Sequence, residues 1–133
     1  MTSPPSPSRE LPLQILVQDL VDFVQARSPA LTDASQGSPA STAVLLDVRE
    51  AWELQAARFD LPGARSLHIP MGALPARWHE LDRLQPVLVL CHHGARSLQC
   101  VAYLQRQGFE SVYNVAGGID AWSCEVDSTV PRY

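Results

Sequence analysis

Four consecutive apolar residues, Val87–Leu90, are bounded by Pro86 on one side and Cys91 on the other. A run this short and uniform reads as a strand covered on both faces, because a half-exposed strand would alternate apolar and polar positions. The loop His92, His93, Gly94 and Ala95 follows, and helical patterning begins near Arg96 and Ser97. A thiol thus ends a buried strand, facing the start of the next helix. In open α/β sheets this is where the ligand crevice lies, and helix-terminal N–H groups there stabilise a thiolate.

The rest of the chain repeats this strand-then-helix rhythm. Leu13 to Val17 is a short apolar run, followed by Asp19 as a helix N-cap and a helical stripe of Leu20, Phe23 and Val24. Residues 43–48, A-V-L-L-D-V, form a second continuous run, with a helix expected from about Glu50 to Ala57. A Leu61-Pro62-Gly63 turn precedes a third strand over 64–69. Residues 71–84 carry Leu74, Trp78 and Leu81 at helical spacing, interrupted by Pro75. A helix over 97–107 stops at Gly108, a fifth strand covers 111–115, and a short helix starts at Gly118. Such alternation predicts an α/β protein with a parallel sheet and helices on both faces, the two most apolar strands being central.

One domain is expected over residues 13–131, preceded by a disordered Ser/Pro-rich tail at 1–12 and interrupted by a solvated loop near 28–42. No apolar run approaches the roughly 18 residues of a membrane span. The first ten residues show no secretory signal pattern. The net charge is −4 and all 10 basic residues are arginines, so no basic face for nucleic acid is expected. The lack of lysine excludes a P-loop, a Schiff base and a lysine general base. The three cysteines, Cys91, Cys100 and Cys124, form neither a C-x-x-C pair nor a disulfide framework, which points to a reducing, cytoplasmic setting.

Cysteine is the strongest side-chain nucleophile once ionised. The helix start, a Gly94-containing loop able to turn N–H groups inward, and Arg96 five positions on all favour a thiolate at Cys91. The same cradle suits an anionic substrate, with His92, His93, Gly94, Ala95, Arg96 and Ser97 as the contact residues. Asp47 and Arg49, at the end of the second strand, are expected to support this loop from behind. Adjacent side chains splay apart and no second ligand pair has zinc-like spacing, so no metal site is expected at His92 and His93. Cys100 reads as structural and Cys124 as an incidental surface thiol. Trp52, Trp78 and Trp122 read as core or rim packing.

The segment C-H-H-G-A-R-S resembles the active-site loop of rhodanese-like sulfurtransferases. Further segments fit in order: L-D-V-R-E at 46–50, H-I-P at 68–70 and Y-N-V-A-G-G-I-D-A-W at 113–122. The resemblance implies a three-layer fold with a five-stranded, mainly parallel sheet of order 3-2-4-5-1. It implies a persulfide on Cys91, loaded by a small anionic donor such as thiosulfate and unloaded by cyanide, a thiol or a protein acceptor, with no cofactor. Fold relatives that are phosphatases or arsenate reductases use a loop one residue longer than the Cys-x4-Arg found here, so the smaller ring favours sulfur. A sulfur-relay or regulatory module acting on a partner protein is the alternative. The stretch R-F-D-L-P-G-A at 58–64 departs from the family's usual Gly-His-Ile/Pro-Gly-Ala pattern, placing Phe59 and Leu61 at unusual positions.

Overall fold

The computed structural model describes residues 13–27 and 42–133. The expected tail at 1–12 and the expected loop near 28–42 lie outside these residues, apart from Thr42. The elements in order are β1 (Leu13–Ile15), α1 (Leu20–Arg27), β2 (Val44–Asp47), α2 (Ala51–Ala56), β3 (Arg65–His68), α3 (Leu74–Arg77), β4 (Val87–Leu90), α4 (Ala95–Arg106), β5 (Val112–Val115) and α5 (Gly118–Glu125). The sheet order is β1-β5-β4-β2-β3 and every pairing is parallel. Read from the opposite edge this is 3-2-4-5-1, the order that the family resemblance implies.

The central strand β4 separates two cores. Val87, Val89 and Cys91 point into one, with Val44, Leu46, Val48, Leu74, Val101, Leu104 and Val112. Leu88 and Leu90 point into the other, with Leu20, Val24, Leu45, Ile119 and Trp122. The period of two along a strand therefore assigns α3 and α4 to one face and α1 and α5 to the other. Every β4 residue is buried, which is why the run carries no polar alternation. Cys91, one step beyond β4, inherits the α4 side by the same period.

Two local expectations are corrected. Asp19 does not cap α1: it belongs to a 3-10 turn, Val17–Asp19, that runs directly into the helix, and β1 accordingly stops at Ile15. Pro75 does not break a helix. It sits in the first turn of α3, where its missing N–H costs nothing, and 3-10 turns at Met71–Ala73 and Trp78–Glu80 flank it. The unusual stretch at 58–64 packs well, with Leu61 buried and the Phe59 ring stacked on Trp122 at 4.1 Å.

Candidate active site

Cys91 is 1% exposed, at the carboxyl end of the central strand. Gly94 sits just before α4 with φ of 104°, a left-handed conformation that places its N–H 3.0 Å from Cys91 Sγ. Ser97, in the first turn of α4, brings Oγ to 3.2 Å from the same sulfur. The sulfur therefore rests against the N-terminus of a 12-residue helix, where unpaired N–H groups and the helix dipole favour negative charge.

Ser97 Oγ also bonds Asn114 Oδ1. Asn114 is held in turn by Nδ2 bonds to Gln14 Oε1 at 2.9 Å and to Gly94 O at 3.2 Å. Parallel register sets Asn114 between Gln14 on β1 and Val89 on β4. Three strands thus anchor the loop from beneath. A hydroxyl has one proton. Ser97 can pass it to Asn114 while accepting from a Cys91 thiol, or turn it onto an ionised Cys91 sulfur.

The two guanidiniums near the loop are both engaged. Arg96 donates to Glu53 through NH1 at 2.6 Å and NH2 at 2.8 Å, a two-pronged pair. Glu53 is buried, and the Arg96 bond is the main reason its carboxyl falls from 4.5 to about 2. Arg49 is fully buried and forks onto Asp47, with Nε at 2.9 and 3.1 Å and NH2 at 2.7 Å from the carboxylate oxygens. Burial opposes the Arg49 charge, but the Asp47 and Tyr133 bonds outweigh it and its pKa moves up. The Tyr133 hydroxyl joins the pairs: it accepts from Arg49 NH1 and donates to Glu53 Oε1, both at 2.9 Å. The two cations and two carboxylates pair with one another, so the N–H and O–H donors of the loop are the groups in direct contact with the sulfur, and the Arg96 charge acts on it from farther off.

His92 and His93 do not splay apart, which corrects the expectation from their adjacency. Their rings stack at 3.9 Å, and the Tyr133 ring stacks on the other face of His92 at 3.9 Å. Burial, followed by the nearby His93, lowers the His92 pKa. Ala95 opens α4 with its side chain exposed. The loop is clamped from the opposite core: Ile119 N donates to Cys91 O at 2.9 Å and Asp120 N to His92 O at 3.0 Å. A Cβ on Gly118 would lie 2.5 Å from His92 O and meet Cys91 O as well, so only glycine lets α5 approach this closely.

Cys100 is buried, and burial, then the nearby Cys91, pushes its thiol up to about 12. Cys124 is exposed. His68 Nε2 lies 2.6 Å from Arg49 O and helps hold the support network, while His79 is exposed. Sequence reasoning did not single out Glu53, Asn114, Gln14 or Tyr133. Two signals were available. Glu50 and Glu53 have the spacing of a capping box, which they form. Asn114 is a polar residue at a core-facing strand position, and a buried amide requires partners.

The rhodanese-like domain family matches residues 30–125. The chain belongs to that family. A protein named as a sulfurtransferase from Allochromatium vinosum is 40% identical over 60% of this chain and 71% of its own length. A putative sulfur carrier protein from Bacillus subtilis is 37% identical over 59% of this chain and 40% of its own. A rhodanese-related protein of known structure from Thermoplasma volcanium superposes with a TM-score of 0.66 at 29% identity, covering 86% of this chain and 93% of that one. For two of the three first curated relatives, this rhodanese-like chain spans about two-fifths of the relative's length. No helix among the described residues is long and apolar enough to cross a membrane.

Proposed function

We propose that this rhodanese-like chain is a sulfurtransferase that carries a sulfane sulfur as a persulfide on Cys91. The observation that supports the reading is the sulfur at the end of β4, met by Gly94 N–H at 3.0 Å and Ser97 Oγ at 3.2 Å at the start of α4. In the loading step the Cys91 thiolate attacks the outer sulfur of a donor such as thiosulfate. A Cys91 S–S bond forms, the donor's own S–S bond breaks, and sulfite leaves with the bonding pair. In the second step cyanide or a thiolate attacks the terminal sulfur, the persulfide bond breaks, and the thiolate returns. The loop N–H groups of Gly94 and Ala95 and the Ser97 hydroxyl bind the terminal anion and the donor's charged end. Arg96, Asp47 and Arg49 act by holding the loop, because their charges are already paired. His92 and His93 form the wall of the entrance.

Steady-state thiocyanate formation from thiosulfate and cyanide tests the reading. A two-step cycle through one cysteine gives parallel double-reciprocal lines, and Cys91→Ser removes the activity. Turnover of an aryl phosphate with no thiocyanate would reject it. A protein acceptor is the second reading, favoured by Trp52. Its ring is 63% exposed and stands edge-on to Tyr133 at 6.0 Å, beside the entrance. A reducing compartment, the cytoplasm in the simplest case, suits three free thiols.

A further inference from the structure

The 126–133 segment runs back from α5 to the Cys91 loop. Val130 is buried, its carbonyl accepts from the Ser123 hydroxyl, and Arg132 Nε donates to Asp120 Oδ1 at 2.9 Å. These anchors deliver the Tyr133 ring onto one face of His92, at 3.9 Å and 7° from parallel. His93 covers the other face, and the His92 ring also bonds the Tyr133 backbone. The His92 carbonyl is held separately, by Asp120 N at 3.0 Å. We propose that Tyr133 is the positioning residue that fixes His92 in the wall of the entrance to Cys91, and thereby limits the bulk of the sulfur acceptor that reaches the persulfide.

Cys91 is 1% exposed, so an acceptor reaches its sulfur through a narrow opening, and a small displacement of the wall changes what fits. The Tyr133 hydroxyl holds the ring in place: it accepts from Arg49 NH1 and donates to Glu53 Oε1, both at 2.9 Å. Those partners are themselves paired with Asp47 and Arg96, so the ring cannot slide along His92 without breaking charge-assisted bonds. Trp52, edge-on at 6.0 Å, adds a further contact. A histidine pinned on both ring faces and at its ring edge cannot swing aside for a larger acceptor without losing those contacts. The class admitted is a small nucleophile such as cyanide, or a thiol on an unbranched or extended carrier. A thiol flanked by bulky groups is excluded.

The acceptor's identity rests on the sulfurtransferase reading, whereas the entrance is tested without sulfur transfer. In the full chain carrying Cys124→Ser, Cys91 is alkylated by iodoacetamide and by a bulky N-aryl iodoacetamide, and the ratio of the two rates is taken against that of a free thiol. Cys100 is buried with its thiol pushed up to about 12, so it does not compete. Tyr133→Ala is expected to raise the bulky-to-small ratio about tenfold. Tyr133→Phe keeps the ring and is expected to leave the ratio within about twofold of the parent. His92→Ala is expected to raise the ratio as Tyr133→Ala does, and the two changes together to add little, because the tyrosine acts through the histidine. A general loosening of the fold would speed both reagents together and leave the ratio unchanged. With thiosulfate-loaded protein, Tyr133→Ala is expected to raise kcat/KM for a bulky thiol relative to cyanide. An unchanged ratio in Tyr133→Ala, a Tyr133→Phe ratio equal to that of Tyr133→Ala, or full additivity with His92→Ala overturns the proposal. The expected ratios in a protein that forms no persulfide would support the positioning role and reject the sulfurtransferase reading.

Discussion

A single proton on Ser97 links the nucleophile to the sheet. With Cys91 neutral, the Ser97 hydroxyl serves Asn114; with Cys91 ionised, it can turn to the sulfur. Ser97→Ala removes that donor and leaves Asn114 Oδ1 buried and short of a partner. Alkylation of Cys91 by iodoacetamide at neutral pH is expected to slow roughly tenfold, and urea unfolding to show a loss of about 1–3 kcal/mol. A variant that alkylates at the wild-type rate would remove Ser97 from the account of the sulfur's reactivity. At this scale much of the site was legible. Cys91, Gly94, Arg96 and Ser97 are close in sequence, and helix and loop geometry alone brings Gly94 and Ser97 to the sulfur. Glu53, Asn114, Gln14 and Tyr133 were not legible, because their partners are 43, 17, 100 and 80 positions away in the chain. Local patterning carries no information about such pairings. Nor does local patterning show that Arg96 is paired with Glu53.

Two elements set the loop's position: β4, which delivers the thiol, and α5, which clamps the loop from behind. Leu88 is fully buried in the α1/α5-side core, so Leu88→Ala is expected to cost about 2–5 kcal/mol in urea unfolding. Leu84 is 76% exposed, and its change to alanine is expected to stay within about 0.5 kcal/mol. Gly118→Ala tests the clamp. Its Cβ would press on the rigid His92 carbonyl at a residue with φ of 62°, and a loss of about 2–3 kcal/mol is expected, with altered Cys91 alkylation as the local readout. The strands β2 and β4 were read correctly because continuous apolar runs leave few alternatives. The stretch 71–84 was read less well. Leu74, Trp78 and Leu81 have helical spacing, but only Leu74–Arg77 is α-helix, with 3-10 turns at Met71–Ala73 and Trp78–Glu80 on either side.

Across the whole molecule, the Asp47, Arg49, Glu53, Arg96 and Tyr133 network ties α2, the Cys91 loop and the 126–133 segment into one unit. Its pH response has a definite sign. The Glu53 carboxyl is lowered from 4.5 to about 2, mainly by Arg96, so the folded state binds its proton less readily than the unfolded chain. The resulting stability, about 3 kcal/mol for such a shift, is fully present above roughly pH 5 and lost as pH falls through 4.5 towards 2. Glu53→Gln is expected to lower the urea midpoint at pH 7 and to flatten its decline between pH 5 and 3. An unchanged slope would show that other carboxylates govern acid unfolding. The central claim is that Cys91 holds the transferred sulfur, and intact-mass measurement after incubation with thiosulfate tests it most directly. The expected result is a gain of one sulfur atom per chain, reversed by cyanide and absent in Cys91→Ser. No added sulfur, or an adduct that persists in Cys91→Ser, would contradict it.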